Sequence, residues 1–214
     1  AAEFQVTSPT IKDQSTIGNE HVFNGFGCTG GNLSPELRWD HAPKDTKSFA
    51  VTVYDPDAPT GSGWWHWLIF NIAPSVTHLP AGAGQPESAG APQGSIQSVT
   101  DFGQPGFGGP CPPPGDKPHR YIFTVFALKV DQLPLKKEAS GAMVGYYLNQ
   151  NAIGKASFTG TYGRQANNHQ NSVREQTMSL DAELGKTMLQ LITSRYEDRH
   201  WRKKIEKTLG LPQS

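Results

Sequence analysis

Glycine and proline are distributed unevenly along the 214 residues: 21 of 23 glycines and 16 of 17 prolines precede residue 166. Proline fixes φ and lacks an N–H, and glycine opens backbone conformations closed to other residues, so this part cannot be a helical bundle. It must be built from short strands joined by turns. Three runs are rich in aromatic and β-branched residues, as strands prefer: "SFAVTVYD" (48–55), "WWHWLIFNI" (64–72) and "RYIFTVFALKV" (120–130). Each is almost continuously apolar, which predicts strands covered on both faces. The stretch 79–95 has no periodicity and reads as a long surface loop, whereas 139–153 has apolar residues near helical spacing and is the expected core helix.

After Tyr162 the composition changes. The expected organisation is a β-domain over 1–165, a polar linker over 166–178 and a helical extension over 179–214. Ser179 is a suitable N-cap, and Leu180, Leu184, Met188, Ile192 and Tyr196 recur every four residues. Trp201, Ile205 and Leu209 resume that spacing after a one-residue phase shift. One bent helix or two short ones over 180–209 follows, with Leu184, Met188, Ile192, Trp201 and Ile205 buried against protein. An isolated helix of this length is marginal in water, so such a stripe needs a partner: the outside of the β-domain or a second copy, making a homodimer.

The formal net charge is zero, with 11 Lys and Arg against 13 Asp and Glu before residue 166 and eight against six after it. Neutrality gives no reason to expect nucleic acid or an anionic membrane as the main partner. "RKKIEKTLGLP" loosely resembles the last helix of small repressor-like DNA-binding domains, but no complete helix-turn-helix precedes it, and DNA binding is not expected. No apolar run reaches the ~18–20 residues of a membrane span. The start "AAEF", without initiator methionine, reads as a periplasmic or secreted chain after signal-peptide removal, the alternatives being a trimmed sequence or a cytoplasmic protein. Cys28 and Cys111 are either bridged or two separate small buried thiols, and spacing alone does not decide.

Three stretches carry chemistry. In "YDPDAP" (54–59) a strand ends in Asp55 and Asp57, with Pro59 closing the turn. In "WWHW" strict alternation would put His66, Leu68 and Phe70 on one face, and in "GGPCPPPGDKPHRY" it puts His119 and Tyr121 on one face. Taken singly, a histidine among tryptophans is a packed core residue, an Asp-Pro-Asp is a turn, and a proline-rich loop is a connector. All three at strand edges together point to a small oxyanion pocket, with glycine N–H groups and imidazoles donating and the aspartate orienting a ring.

"CTGGNLSPELRW" (28–39), "VYDPDAPTGSGWWHWLIFNI" (53–72) and "GFGGPCPPPGDKPHRYIFTVFAL" (106–128) resemble the signature blocks of the phosphatidylethanolamine-binding protein family, in its bacterial, Raf-kinase-inhibitor-like branch of the YbhB/YbcL type. The resemblance spans about residues 3–162. It implies a mainly β fold, an antiparallel β-sandwich with a few peripheral helices, to which the C-terminal helical extension is an addition. It also implies an anion pocket containing Asp55, Asp57, Pro59, His66, Gly109, Pro110, Cys111, Pro112, His119 and Tyr121, with a cis Ala58-Pro59 bond. Cys28 and Cys111 would then lie near the pocket end, within the ~7 Å between Cα atoms that a disulfide allows. Family members bind phosphate, acetate or phosphoryl headgroups, and some inhibit kinases or proteases by docking.

The expected function is non-catalytic binding, without a cofactor or metal, of a phosphoryl or carboxylate group on a small ligand or protein partner. An enzyme using His66 or His119 with Asp55 is the first alternative, although neither a GxSxG elbow nor HExxH spacing is present. A protein-protein interaction module acting through the C-terminal helix is the second.

Overall fold

A computed structural model describes residues 2–85, 89–166, 177–188, 190–191, 203–204, 207–208 and 210. The chain divides into two units, Ala1–Gln165 and Ala166–Ser214.

In chain order the first unit contains β1 (Gln5–Thr7), β2 (Ser15–Thr16), β3 (Asn24–Gly25), β4 (Cys28–Thr29), β5 (Leu37–Asp40), β6 (Ser48–Asp55), β7 (Trp64–Ile72), β8 (His78–Leu79), β9 (Ile96–Gln97), β10 (His119–Leu128), α1 (Gly141–Asn151) and β11 (Ala152–Tyr162). A six-stranded sheet in the order β2-β11-β10-β6-β7-β9 faces a three-stranded sheet β1-β5-β8, and β3-β4 is a separate hairpin. The result is the expected β-sandwich. Every ladder is antiparallel except β2 with β11, a parallel edge pair.

The core lies between the two sheets. Val51, Val53, Trp67, Ile69, Tyr121, Phe123 and Val125 project from the large sheet towards Val6, Leu37, Trp39 and Leu79 of the small one. The opposite face of the large sheet is covered by α1, whose Val144 and Leu148 pack on Ala50, Leu68, Phe70 and Leu128. That double cover explains why β6 reads as an unbroken apolar run: all but one of its eight residues are buried. Each fully buried Phe, Leu, Ile or Val stabilises by roughly 1.5–3 kcal/mol relative to exposure, so these two layers dominate stability. The helix starts where Ser140 accepts from the Met143 N–H and ends at Asn151, where the chain passes directly into β11. Gly141 lies against Trp65, whose indole would be 2.3 Å from any added Cβ.

Strand β7 departs from the alternation expected of it. Tyr54 pairs with Trp65 and Val53 with Trp67, which leaves His66 as the extra residue of a β-bulge. Trp67 and Ile69 therefore face the inter-sheet core while Leu68 and Phe70 lie beneath α1. His66 does not share their face: its ring lies 5.1 Å from that of Tyr121, on the core side. A one-residue insertion moves every later side chain to the other face, and here it re-aims the histidine.

In the second unit residues 177–188 are helical. Leu184 and Met188, expected to be buried, are instead 63% and 57% exposed, since helical spacing sets which residues share a stripe and not whether the stripe is covered. Ile192, Trp201, Ile205 and most of the linker lie outside the described residues. Among the described residues no helix is long and apolar enough to cross a membrane.

Candidate functional site

Three strand ends of the large sheet converge on one cavity. Asp55 ends β6, His66 lies near the start of β7, and His119 starts β10 with Tyr121 two residues on. Because β6 lies between β7 and β10, the two histidines flank Asp55 from strands that are not adjacent. All four residues nevertheless line one cavity of about 210 Å³.

Asp55 organises the floor. Its Oδ1 accepts from the N–H groups of Asp57 (2.8 Å) and Ala58 (3.1 Å), closing the turn after β6. Its Oδ2 lies 2.8 Å from His119 Nδ1 in a contact where both side chains are 4% exposed. The other His119 nitrogen, Nε2, lies 3.2 Å from Asp116 Oδ2. The Asp55 side chain thus shapes the turn without a cis bond: the Ala58-Pro59 peptide, expected to be cis, is trans, as are all bonds among the described residues. A carboxylate accepting two successive N–H groups closes an Asx-type turn by itself.

His66 is held differently. Its carbonyl accepts from the Gly108 N–H at 2.9 Å and its ring Nδ1 donates to the Gly108 carbonyl at 2.7 Å, so the glycine clasps both ends of the residue. Phe102 meets the ring edge-on at 5.3 Å. Burial pushes the imidazole down to about 4, against the opposing pull of the Gly108 carbonyl and of Asp55. The ring is therefore neutral at physiological pH. Burial likewise pushes the Tyr121 phenol up, keeping it a neutral hydroxyl.

The walls are apolar. Trp64, Phe102 and Phe26 form one side, Ala58, Pro59 and Thr60 another, and Cys111, Pro112 and Pro113 the third. Phe26 is 68% exposed and sits at φ 52°, a left-handed conformation uncommon for a bulky side chain, at the tip of the β3–β4 hairpin. Its ring stacks on Phe102 at 5.9 Å. A disulfide joins Cys28, which pairs with Gly25 to close the turn of that hairpin, to Cys111 of the proline-rich wall, with Cα atoms 6.1 Å apart. The neighbouring positions are joined as well: Arg164 donates from Nε to the Pro112 carbonyl (2.6 Å) and from Nη1 to the Gly27 carbonyl (3.3 Å).

Of the residues expected in the pocket, Asp55, Pro59, His66, Cys111, Pro112, His119 and Tyr121 line the cavity. Gly109 and Pro110 do not. They form the layer behind it, where the Gly109 N–H donates to Asn32 Oδ1 at 2.8 Å and the Pro110 carbonyl accepts from the Phe23 N–H at 3.0 Å. A Cβ at Gly109 would lie 1.9 Å from the His21 carbonyl oxygen, so only glycine fits there. Asp57 also points elsewhere: both its oxygens take Arg120 guanidinium hydrogens at 2.9 Å, which pins the turn to β10 and holds its carboxyl down to about 2.

Phe26, Trp64, Phe102 and Arg164 were not singled out from sequence. Phe26 had a signal, an aromatic residue between two glycines; Arg164, inside a polar stretch, had none.

A two-layer β-sandwich with a small, rigid-walled cavity at its strand ends defines a small-ligand-binding module. The sequence profile described as phosphatidylethanolamine-binding protein matches residues 7–163. The UPF0098 proteins YbcL and YbhB of Escherichia coli K12 are 57% and 46% identical, over 76% and 74% of this chain and 88% and 99% of their own lengths. The crystal structure of Escherichia coli YbcL, described as a member of the mammalian PEBP family, superposes with a TM-score of 0.75 at 56% identity, covering 77% of this chain and all of that one. The chain belongs to the phosphatidylethanolamine-binding protein family.

Proposed function

We propose that the cavity is a non-catalytic binding site for the phosphoryl or carboxylate group of a small ligand or a protein partner. The observation that carries this reading is the convergence of Asp55, His66, His119 and Tyr121 on one preformed cavity. Its walls are already fixed by a disulfide, an arginine bridge and proline, so little ordering entropy is lost on binding. Family membership supports a binding role.

An acid-base enzyme is the weaker reading. The His119-Asp55 pair has the look of a base and its orienter, but the second His119 nitrogen is already on Asp116, and Cys111 is tied up in a disulfide. The disulfide supports an oxidising location such as the periplasm or the exterior. The exposed Leu180, Leu184 and Met188 support a role for the tail helix in pairing with a protein partner or a second copy.

Titration calorimetry of the full chain with phenyl phosphate tests the main reading. The expected result is saturable binding, weakened at least tenfold in Tyr121→Phe, with the ester recovered intact. Release of phenol would establish the enzyme reading instead, and absence of binding would end the oxyanion reading.

A further inference from the structure

The helix over 177–188 carries a pattern that the binding reading does not use. Residues 177–188, 190 and 191 are helical and exposed, and four of them are large and apolar: Leu180 at 61% exposure, Leu184 at 63%, Met188 at 57% and Leu191 at 53%. With about 100° between successive residues of a helix, these four fall within an arc of about 80°, one narrow stripe. Their spacings of four, four and three fit eleven residues into three turns, so the stripe runs nearly along the helix axis and suits a second helix laid beside it. A helix of this length is marginal in water unless such a stripe is buried. In a single copy the four side chains remain more than half exposed, so burying them takes a second molecule.

Charge identifies that molecule. Asp181 and Glu183 border the stripe on its two sides, while Lys186 lies on the opposite face. Whatever occupies the stripe meets carboxylates along both edges and is favoured if it is basic. The same chain holds such a segment: Lys203 and Lys207 are helical, exposed and four residues apart, so they share a face. The sequence over 192–208 carries six Lys and Arg against three Asp and Glu, whereas 177–191 carries one Lys against two Asp and Glu. Two copies running in the same direction would set acidic borders against each other, a like-charge contact. Running in opposite directions, each copy lays its Asp181 and Glu183 along the Lys203 and Lys207 of the other, and two-fold symmetry makes the match twice.

We infer that two copies of this chain associate through their tail helices in antiparallel fashion, the acid-bordered stripe of each lying on the lysine-bearing segment of the other. This rests on the pairing role of the tail stated above and narrows it to one occupant, a second copy, and to one direction.

Sedimentation equilibrium of the full chain tests the inference. A reversible monomer-dimer equilibrium is expected, and Leu184→Asp combined with Met188→Asp should leave the chain monomeric. A chain that is monomeric at every concentration reached overturns the inference and leaves a foreign partner for the stripe. A dimer unchanged by that double substitution overturns the inference together with any pairing role of the stripe. The direction is read from charge. Exposed ion pairs are individually weak, but each occurs twice in the dimer and reversal turns attraction into repulsion. Asp181→Lys combined with Glu183→Lys should therefore weaken association at least tenfold. Adding Lys203→Glu and Lys207→Glu to that chain should restore the affinity to within about threefold of the original. An association that stays weak in the fourfold variant overturns the antiparallel arrangement. All six substituted positions are exposed, so none of these changes disturbs a core.

Discussion

His66 and His119 are both buried imidazoles at the ends of apolar strands, and both line the same cavity, yet their surroundings differ in kind. His119 obeys the alternation of β10 and has each ring nitrogen on a carboxylate. His66 breaks the alternation of β7, sits in a bulge, and has one nitrogen on a backbone carbonyl and no carboxylate on either nitrogen among the described residues. The first is a structural node that ties the turn after β6 to the proline-rich loop. The second is a group held neutral with a lone pair to offer. A histidine in an apolar strand therefore says little about its role until the partners of both nitrogens are known.

The largest expected effect comes from dismantling the node. Asp55→Ala would leave the buried His119 and two part-buried turn N–H groups without their acceptor, a change costing about 3–5 kcal/mol. Urea denaturation measures it, and a loss under ~1 kcal/mol would show that water replaces the carboxylate.

The next effect belongs to His66 and appears as a function of pH. Its folded value, about 4, lies below the unfolded ~6.5, so the unfolded chain takes up the proton first on acidification. Stability should be constant above pH ~6.5 and should fall by about 3 kcal/mol as pH drops to ~4, after allowance for other groups. Repeating the pH series with His66→Gln should flatten that segment. If the slope survives the substitution, another group causes it.

The smallest effect lies outside the cavity. Asp57→Asn breaks the exposed pair with Arg120 and should cost no more than about 1 kcal/mol. Because the Asp57 carboxyl is held down to about 2, its contribution is present above pH ~3.8 and disappears only below that, a window separate from that of His66. Ligand affinity should not change, and a loss of phenyl phosphate binding in this variant would mean that the turn itself moves.

Much of this architecture was legible in the sequence. The runs at 48–55 and 64–72 announced β6 and β7 because strands buried on both faces must be apolar nearly throughout, whereas β10, expected to be covered likewise, has Arg120 exposed and Ile122, Thr124 and Phe126 only half-buried on its second face. The β10 site residues followed because period two places His119 and Tyr121 together. The bulge at His66 was not legible, since a single inserted residue changes register without changing composition. Nor was the aromatic wall: Phe26, Trp64 and Phe102 are brought together from distant segments, and no local rule links them. Gly109 and Pro110 were recognised as special for the wrong reason, their constraint being the close approach of the 21–23 backbone behind the cavity. The apolar spacing of the tail predicted a helix over 180–209, and residues 180–188 are helical while 177–178, expected in the linker, already belong to it; spacing carries no information about what covers a stripe.

The Cys28-Cys111 bond also changes what a cut in the polypeptide means. The bond spans 83 positions, and β5 to β9 all fall between its two ends, whereas β10, α1 and β11 lie beyond it. A protease that nicks one peptide bond anywhere in that interval yields two pieces that remain covalently one molecule. On a denaturing gel without reductant such a nicked protein runs as a single species, and reductant separates it into an amino-terminal fragment and a carboxy-terminal one carrying the β10 histidine. The sandwich can thus lose the continuity of its backbone and still keep the hairpin of Phe26 leashed to the opposite wall.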